Sequence, residues 1–223
     1  MFDPSKCDPV LGLEVEAFLK KHGQHTPYQN NGLERSDKIA SIQKNFTEIM
    51  QTLGLDLNDD SLEDTPKRVA KMFVNEVFWG LEPENFPKCT AIDNKMNYDE
   101  MVAIRDINVM SQCEHHFVVI DGAATVAYIP NKKVIGLSKI NRIVEYFCKR
   151  PQVQERLTSQ IFYALQFILE TDNIAVVIDA AHYCVKSRGV EDINSATFTS
   201  KLGGIFRSNL ATRAEFLALA RNK

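Results

Sequence analysis

The chain changes from a helical to an extended pattern at residues 101–129, which read MVAIRDINVMSQCEHHFVVIDGAATVAYI. The first part of this segment predicts a β-strand, because its apolar residues follow strand-like spacing at Val102, Ile104, Ile107 and Val109. A second extended segment covers residues 117–129, and Asp121-Gly122 predicts a bend or bulge within it. The pattern therefore predicts two strands, with the polar sequence CEHH between them.

The sequence after this pair predicts two helices and then two more strands. Residues 138–149 have an amphipathic helical pattern, and Pro151 opens a second helix that runs to about Glu170. Strands are predicted at 174–185 and 196–205, and a short helix at 211–221. The order strand–strand–helix–helix–strand–strand indicates an α+β fold.

The sequence before residue 98 predicts helices. Two amphipathic segments lie at 13–22 and 33–53, and Thr65-Pro66 predicts another helix start, with Thr at the N-cap and Pro at the first helical position. That helix is expected to stop at Gly80. We therefore expect an N-terminal helical region at 1–97, followed by a strand-containing domain at 98–223.

Composition excludes several classes of protein. The 26 Lys and Arg residues against 29 Asp and Glu give a formal net charge of −3, which does not support a nucleic-acid partner. No apolar run is long enough to predict a membrane span, and the N-terminus lacks the pattern of a secretory signal. The five cysteines are odd in number and widely scattered, which favours the reducing cytoplasm over a disulfide framework.

Two segments carry residues that suit a metal. Cys113-Glu-His-His116 places a thiol and an imidazole three residues apart, and His182-Tyr-Cys184 offers two more donors, which face the same way if they lie on a strand. Thiolate and imidazole ligands suit zinc. The surplus of histidines favours an open, three-ligand catalytic site of Cys113, His116 and Cys184, which leaves His115 and His182 unbound for acid–base chemistry. Ordinary buried thiols, a Cys113–Cys184 disulfide and a closed four-ligand structural site remain as alternatives.

Basic residues indicate an anion site. Lys139 and Arg142 share one face of the helix predicted at 138–149, Arg68 and Lys71 form a similar pair on the Thr65 helix, and Arg188 follows Cys184. These residues suit a polyphosphate, although such charges are more often simply solvated. Glu155 near a helix start has an ordinary interpretation as a partner of the helix dipole, and an alternative one as a reader of a guanine edge.

Five motifs of the chain resemble the GTP cyclohydrolase I family. They are Thr65-Pro-Lys-Arg-Val-Ala-Lys-Met72, Cys113-Glu-His-His-Phe117, Ile135-Gly-Leu-Ser-Lys-Ile-Asn-Arg142, Arg150-Pro-Gln-Val-Gln-Glu-Arg-Leu157, and His182-Tyr-Cys184 with Arg188-Gly189. The resemblance covers about residues 45–221. It implies a tunnelling fold, which is a four-stranded antiparallel sheet with two helices on one face, preceded by an N-terminal helical region. It also implies a toroidal homodecamer of two pentamers, with active sites between subunits.

The resemblance also implies a reaction and a role for each residue. GTP is hydrolysed to 7,8-dihydroneopterin triphosphate and formate, the first step of tetrahydrofolate or pterin biosynthesis, and Zn2+ on Cys113, His116 and Cys184 activates the water. The resemblance assigns proton transfer to His115 and His182. It places Ser138 near the ribose. Guanine recognition falls to Gln154 and Glu155. The triphosphate is expected to bind to five cationic side chains: Lys139, Arg142, Arg188, Arg68 and Lys71.

Two alternatives to this reaction are kept. One is another tunnelling-fold enzyme that acts on a pterin or a deazapurine, a substrate that would not need the five cations. The other is a non-catalytic oligomer with a structural zinc, which predicts four protein ligands and no role for His115.

Overall fold

The structure, a computed structural model, describes residues 3–221 and begins with helices. The elements before residue 90 are a 3₁₀ turn at Pro4–Lys6, α1 (Pro9–Lys21), α2 (Arg35–Thr52), α3 (Thr65–Met72), a π-helical turn at Phe73–Val77, and 3₁₀ turns at Trp79–Leu81 and Pro83–Asn85. The remaining elements are, in chain order, β1 (Ala91–Asp93), β2 (Val102–Cys113), β3 (Val119–Tyr128), β4 (Lys133–Ile135), α4 (Leu137–Cys148), β5 (Pro151–Gln152), α5 (Gln154–Leu169), β6 (Ile174–His182), α6 (Tyr183–Lys186), β7 (Thr197–Leu202), α7 (Gly204–Ser208) and α8 (Leu210–Arg221).

The main sheet confirms the predicted architecture. The long strands lie in the order β2-β3-β6-β7, and every neighbouring pair is antiparallel. The two-residue strand β5 adds to the outer edge of β2 in the parallel direction. Helices α4 and α5 pack on the sheet and against each other, so the fold is the tunnelling fold that the family resemblance implies.

The core lies between this sheet and its two helices. Helix α4 buries Ile140, Ile143, Val144 and Phe147, whose spacing of three to four residues places them on one face. Helix α1 joins the same core through Val15 and Leu19 and packs against α5. Helix α2 instead packs against α3.

The strand predicted at 174–185 is too long. Strand β6 ends at His182, and the next residues form the short helix α6. The argument that His182 and Cys184 share a strand face is therefore wrong, because Cys184 lies on that helix.

The irregularity expected at Asp121-Gly122 lies elsewhere. Strand β3 pairs without interruption across these residues, whereas β2 shifts register between Ile104 and Ile107, where Asp106 has a φ of 55°. Gly122 is required for a different reason, which is steric. A Cβ at this position would lie 2.2 Å from the carbonyl oxygen of Asp179 on β6. Glycine therefore permits a close approach of two paired strands at this position.

Three helix boundaries also differ from the predictions. Helix α5 begins at Gln154 because Pro151–Gln152 pairs with Gln112–Cys113 of β2. Thr65 is the first helical residue of α3, after Asp64, and the predicted helix to Gly80 is interrupted by the π-helical turn. The small pairing of β1 with β4 and the short helix α7 were not predicted.

No helix within residues 3–221 combines the length and the apolar character that a membrane span requires.

Candidate active site

Cys113 closes strand β2 and opens a tight loop that carries the histidines. Its N–H donates to the carbonyl of Val118 at 2.8 Å, and its carbonyl accepts from the N–H of Phe117 at 2.8 Å. Phe117 has a φ of 53°, so the chain reverses sharply at this point. The loop leaves the Cys113 side chain buried and exposes His115 and His116.

The structure brings Cys113, His116 and Cys184 together, and we call these three residues the Cys–His–Cys group. One ligand atom from each lies within 4.8 Å of the others. Cys184 lies on α6, which directly follows β6 and contacts β3. His115 and His182 do not belong to the group, and all five cysteines are free thiols.

The donor set of this group fits zinc. Two sulfurs and one imidazole nitrogen are ligands that zinc prefers, and separations of this size suit one ion with Zn–S bonds of about 2.3 Å after small side-chain adjustments. Burial and the neighbouring Cys113 thiol raise the pKa of Cys184. A cation between two thiols opposes that effect, because it stabilises thiolates. Three donors also match the number that catalytic zinc sites take from the protein.

The two other histidines have different surroundings. His115 is largely exposed, and its Nδ1 lies 3.7 Å from Sγ of Cys113, while its Nε2 lies 3.9 Å from the Glu114 carboxylate. His182 is half-buried and donates from Nε2 to Oε1 of Gln154 at 2.7 Å. Burial lowers the pKa of His182, and the Glu155 carboxylate opposes this shift. The neutral ring then keeps Nδ1 as a proton acceptor.

Gln154 is a buried residue whose side chain forms hydrogen bonds to other residues of the same chain. Its Nε2 donates to the carbonyl oxygens of Ile178 and Thr197 and to Oγ1 of Thr199, at 3.0, 2.8 and 3.0 Å. These three acceptors fix the orientation of the Gln154 amide and direct its Oε1 to His182. The sequence predicted a guanine-binding residue at this position and missed this support of His182.

The other predicted substrate residues lie apart within one chain. Of the five cations, Arg188 is the one that contacts the Cys–His–Cys group within residues 3–221, by donating to Nε2 of His116 at 2.9 Å. Arg142 lines a cavity of about 150 Å³ beside the N-terminal segment. Arg68 of α3 pairs at 3.6 Å with Asp64, the residue before the helix, and Lys71 is exposed on α3. Ser138 and Lys139 lie in the first turn of α4, and exposed Glu155 lies in the first turn of α5.

Sequence reasoning missed two arginines near the site. Arg150 is 1% exposed and stacks over the rings of Tyr146 and Phe147. Arg156 forms an ion pair with Glu114, the residue between Cys113 and His115. The available signal was the position of both residues in Arg150-Pro-Gln-Val-Gln-Glu-Arg-Leu157, a motif shared with the family rather than a run of surface charge.

Comparisons with known proteins agree with the geometry. Residues 42–221 match the sequence model of a family described as GTP cyclohydrolase I. The chain is 60% identical over 204 residues to a protein named GTP cyclohydrolase 1 from Shewanella amazonensis, with 92% of this chain and 94% of the relative covered. It is 59% identical over 210 residues to a protein of the same name from Yersinia enterocolitica, with 94% and 95% covered. The chain belongs to the GTP cyclohydrolase I family.

Proposed function

We propose that the chain is a zinc-dependent hydrolase that opens the guanine imidazole ring of GTP and yields 7,8-dihydroneopterin triphosphate and formate. This is the first step of tetrahydrofolate or pterin biosynthesis. The observation that carries the proposal is the Cys–His–Cys group, which has three donors, with His115 beside Cys113 and His182 two residues before Cys184 in the chain. Family membership supports the same substrate and reaction.

The residues of the Cys–His–Cys group would hold the zinc ion. Bound there, zinc supplies Lewis-acid activation of water near neutral pH. His115 is exposed and free to reach substrate, so we assign it to protonation of the purine at N7, which makes C8 electrophilic. His182 is held by Gln154 with Nδ1 as acceptor, and we assign it to proton transfer during release of formate.

Guanine recognition is assigned to the first turn of α5. Glu155 is exposed there, and its carboxylate accepts hydrogen bonds from N–H groups such as those on the guanine edge. The first N–H groups of a helix lack intrahelical acceptors, so the main chain of Gln154 adds donors at the same place. Ser138, exposed in the first turn of α4, is assigned to the ribose.

The triphosphate is assigned to Lys139, Arg142, Arg188, Arg68 and Lys71. Arg188 lies against His116, whereas Arg68 and Lys71 are exposed on α3. A homodecamer of two pentamers accommodates this separation, because its active sites take residues from neighbouring subunits. We therefore propose that oligomerisation completes the phosphate site.

Two further assignments are also proposals. The free state of all five thiols supports a cytoplasmic location. We also keep the division into an N-terminal helical region at 1–97 and a catalytic domain at 98–223.

Turnover of GTP with and without a zinc chelator tests the function. We expect a dihydropterin absorbance and one formate per GTP, loss of both with the chelator, and recovery on adding Zn2+. Ring opening that continues in zinc-free protein would contradict the proposed mechanism. A chain that ignores GTP and transforms a pterin or deazapurine would instead be the rival tunnelling-fold enzyme.

A further inference from the structure

The segment Arg150–Gln152 fixes the backbone at the end of β2. Gln152 lies opposite Cys113 in the parallel pairing of β5 with β2. The carbonyl of Gln152 accepts from the N–H of Glu114 at 2.9 Å, and the carbonyl of Arg150 accepts from Oγ of Ser111 at 3.3 Å. The position of the Cys113 backbone therefore depends on this segment as well as on the pairing of β2 with β3.

The side chain of Gln152 ties the segment to a buried amide chain. Its Nε2 donates to the carbonyl of Phe147 and to Oε1 of Gln160, both at 2.8 Å. Gln160 in turn donates to the carbonyl of Gln24 at 2.8 Å and to Oγ1 of Thr26 at 3.0 Å. This path connects the Cys113 strand to the segment after α1.

Arg150 reaches the same threonine by a second path. Its NH1 donates to Oγ1 of Thr26 at 3.1 Å and approaches a carboxylate oxygen of Glu16 at 3.4 Å, while its Nε donates to the carbonyl of Gly80 at 2.6 Å. Thr26 is 5% exposed. Its hydroxyl is thus a shared acceptor for two buried donors, the Arg150 guanidinium and the Gln160 amide.

We propose that Thr26 is a positioning residue for the metal ligand Cys113, which it acts on through Arg150, Gln160 and Gln152. Loss of the hydroxyl leaves two buried N–H donors without an acceptor, and such donors are costly unless the structure shifts to satisfy them. The segment that shifts is the one paired with Cys113 and Glu114. Thr26 lies before residues 42–221, which match the family model, so the inference gives the N-terminal segment a part in the site. The inference rests on the proposed zinc site.

The experiment compares four full-length proteins: wild type, Thr26→Val, Thr26→Ser and Val15→Ala. Valine has nearly the shape of threonine but lacks the hydroxyl, and serine keeps the hydroxyl. Val15 is buried in the main core, so Val15→Ala lowers stability without removing a member of the hydrogen-bond path. Zinc affinity is measured by competition with a chromophoric chelator, and the Co2+-loaded proteins are compared by their visible absorption.

We expect Thr26→Val to weaken zinc binding about tenfold, the lower end of the range for partners outside the ligand shell, and to alter the Co2+ spectrum. Thr26→Ser should restore both readouts, and Val15→Ala should keep both despite a lower melting temperature. If Thr26→Val does not fold, Thr26→Ala is measured against Thr26→Ser in the same assays, with the same expected direction.

Unchanged zinc affinity and spectrum in the hydroxyl-free variant would overturn the inference. An equal loss of affinity in Val15→Ala at a matched fall in melting temperature would do the same, because it would show a general effect of stability. Neither readout requires turnover. A wild-type chain that binds zinc without opening GTP would therefore contradict the proposed function alone.

Discussion

The two histidines near the Cys–His–Cys group differ in how strongly the protein holds and covers them. His182 is held by the amide of the buried residue Gln154, whereas the His115 side chain is 63% exposed and outside the metal-ligand group. A held imidazole has a defined donor and acceptor, and an exposed one is available to a ligand. This contrast supports different proton-transfer roles for the two histidines.

Replacing His115 tests the first of these roles. We expect His115→Ala to lower kcat by about 10²–10⁴-fold, the usual contribution of a general acid or base, while zinc content stays at the wild-type value. Turnover and metal analysis are measured on the same sample. His116→Ala is the control, since it removes a proposed ligand and should lose zinc as well. Normal turnover in His115→Ala would contradict the assigned mechanism.

Glu155 allows a test of base recognition. We expect Glu155→Gln to lower kcat/KM for GTP by about 10- to 100-fold, because a hydrogen bond to a charged group contributes roughly 1.5–3 kcal/mol. Inosine triphosphate lacks the exocyclic amino group, so the wild type should prefer GTP and the variant should lose most of that preference. Undiminished discrimination in the variant would exclude Glu155 as the reader of guanine. The exposed position of Glu155 makes a folding defect a poor explanation of any loss.

At the scale of elements, the ends of two strands and their pairing with β3 position the site. Strand β2 ends at Cys113 and β6 ends at His182, and β3 lies between them. The pairing of Ile120 with His182 and of Gln112 with Val119 sets how these ends align. Close contact of β3 with β6 at Gly122 is part of the same alignment.

Gly122→Ala tests the close contact. The new Cβ would meet the Asp179 carbonyl oxygen at 2.2 Å, so strands must separate, and we expect a loss of about 1–3 kcal/mol in the free energy of unfolding. Urea unfolding of the zinc-loaded protein measures it. Gly136→Ala is the matched control, because its Cβ would meet Lys139 Cγ at 3.8 Å and nothing nearer. Equal stability of the two variants would show that the close approach has no energetic importance.

At the scale of the whole molecule, the residues proposed for the active site lie in two separate places. The Cys–His–Cys group with Arg188 lies at the ends of β2 and β6, while Arg68 and Lys71 are exposed on α3. Arg68 pairs with Asp64, an exposed residue immediately before its helix, and exposed ion pairs of this kind contribute little. Both cations are therefore available to a substrate bound by a neighbouring subunit.

Subunit mixing tests this division. His115→Ala and Arg68→Ala homo-oligomers are each expected to have low activity, the second through a higher KM for GTP. Oligomers reassembled from both chains should regain part of the wild-type activity, since some sites then combine an intact His115 with an intact Arg68. Sedimentation should give a mass ten times that of one chain. Absence of any recovery in verified mixed oligomers would place both residues in sites built by a single chain.

The sequence by itself determined the order of the four long strands and of helices α4 and α5, because strand alternation and helical spacing are local properties of the chain. It also showed the thiol and imidazole residue types of the proposed site. It did not determine how Cys184 reaches Cys113, since that depends on the end of β6 at His182 and on the turn of α6. It also did not show that Arg150, a charged residue, is buried. Only the tertiary structure decided these points, because they depend on contacts between residues distant in the chain, such as Arg150 with Thr26.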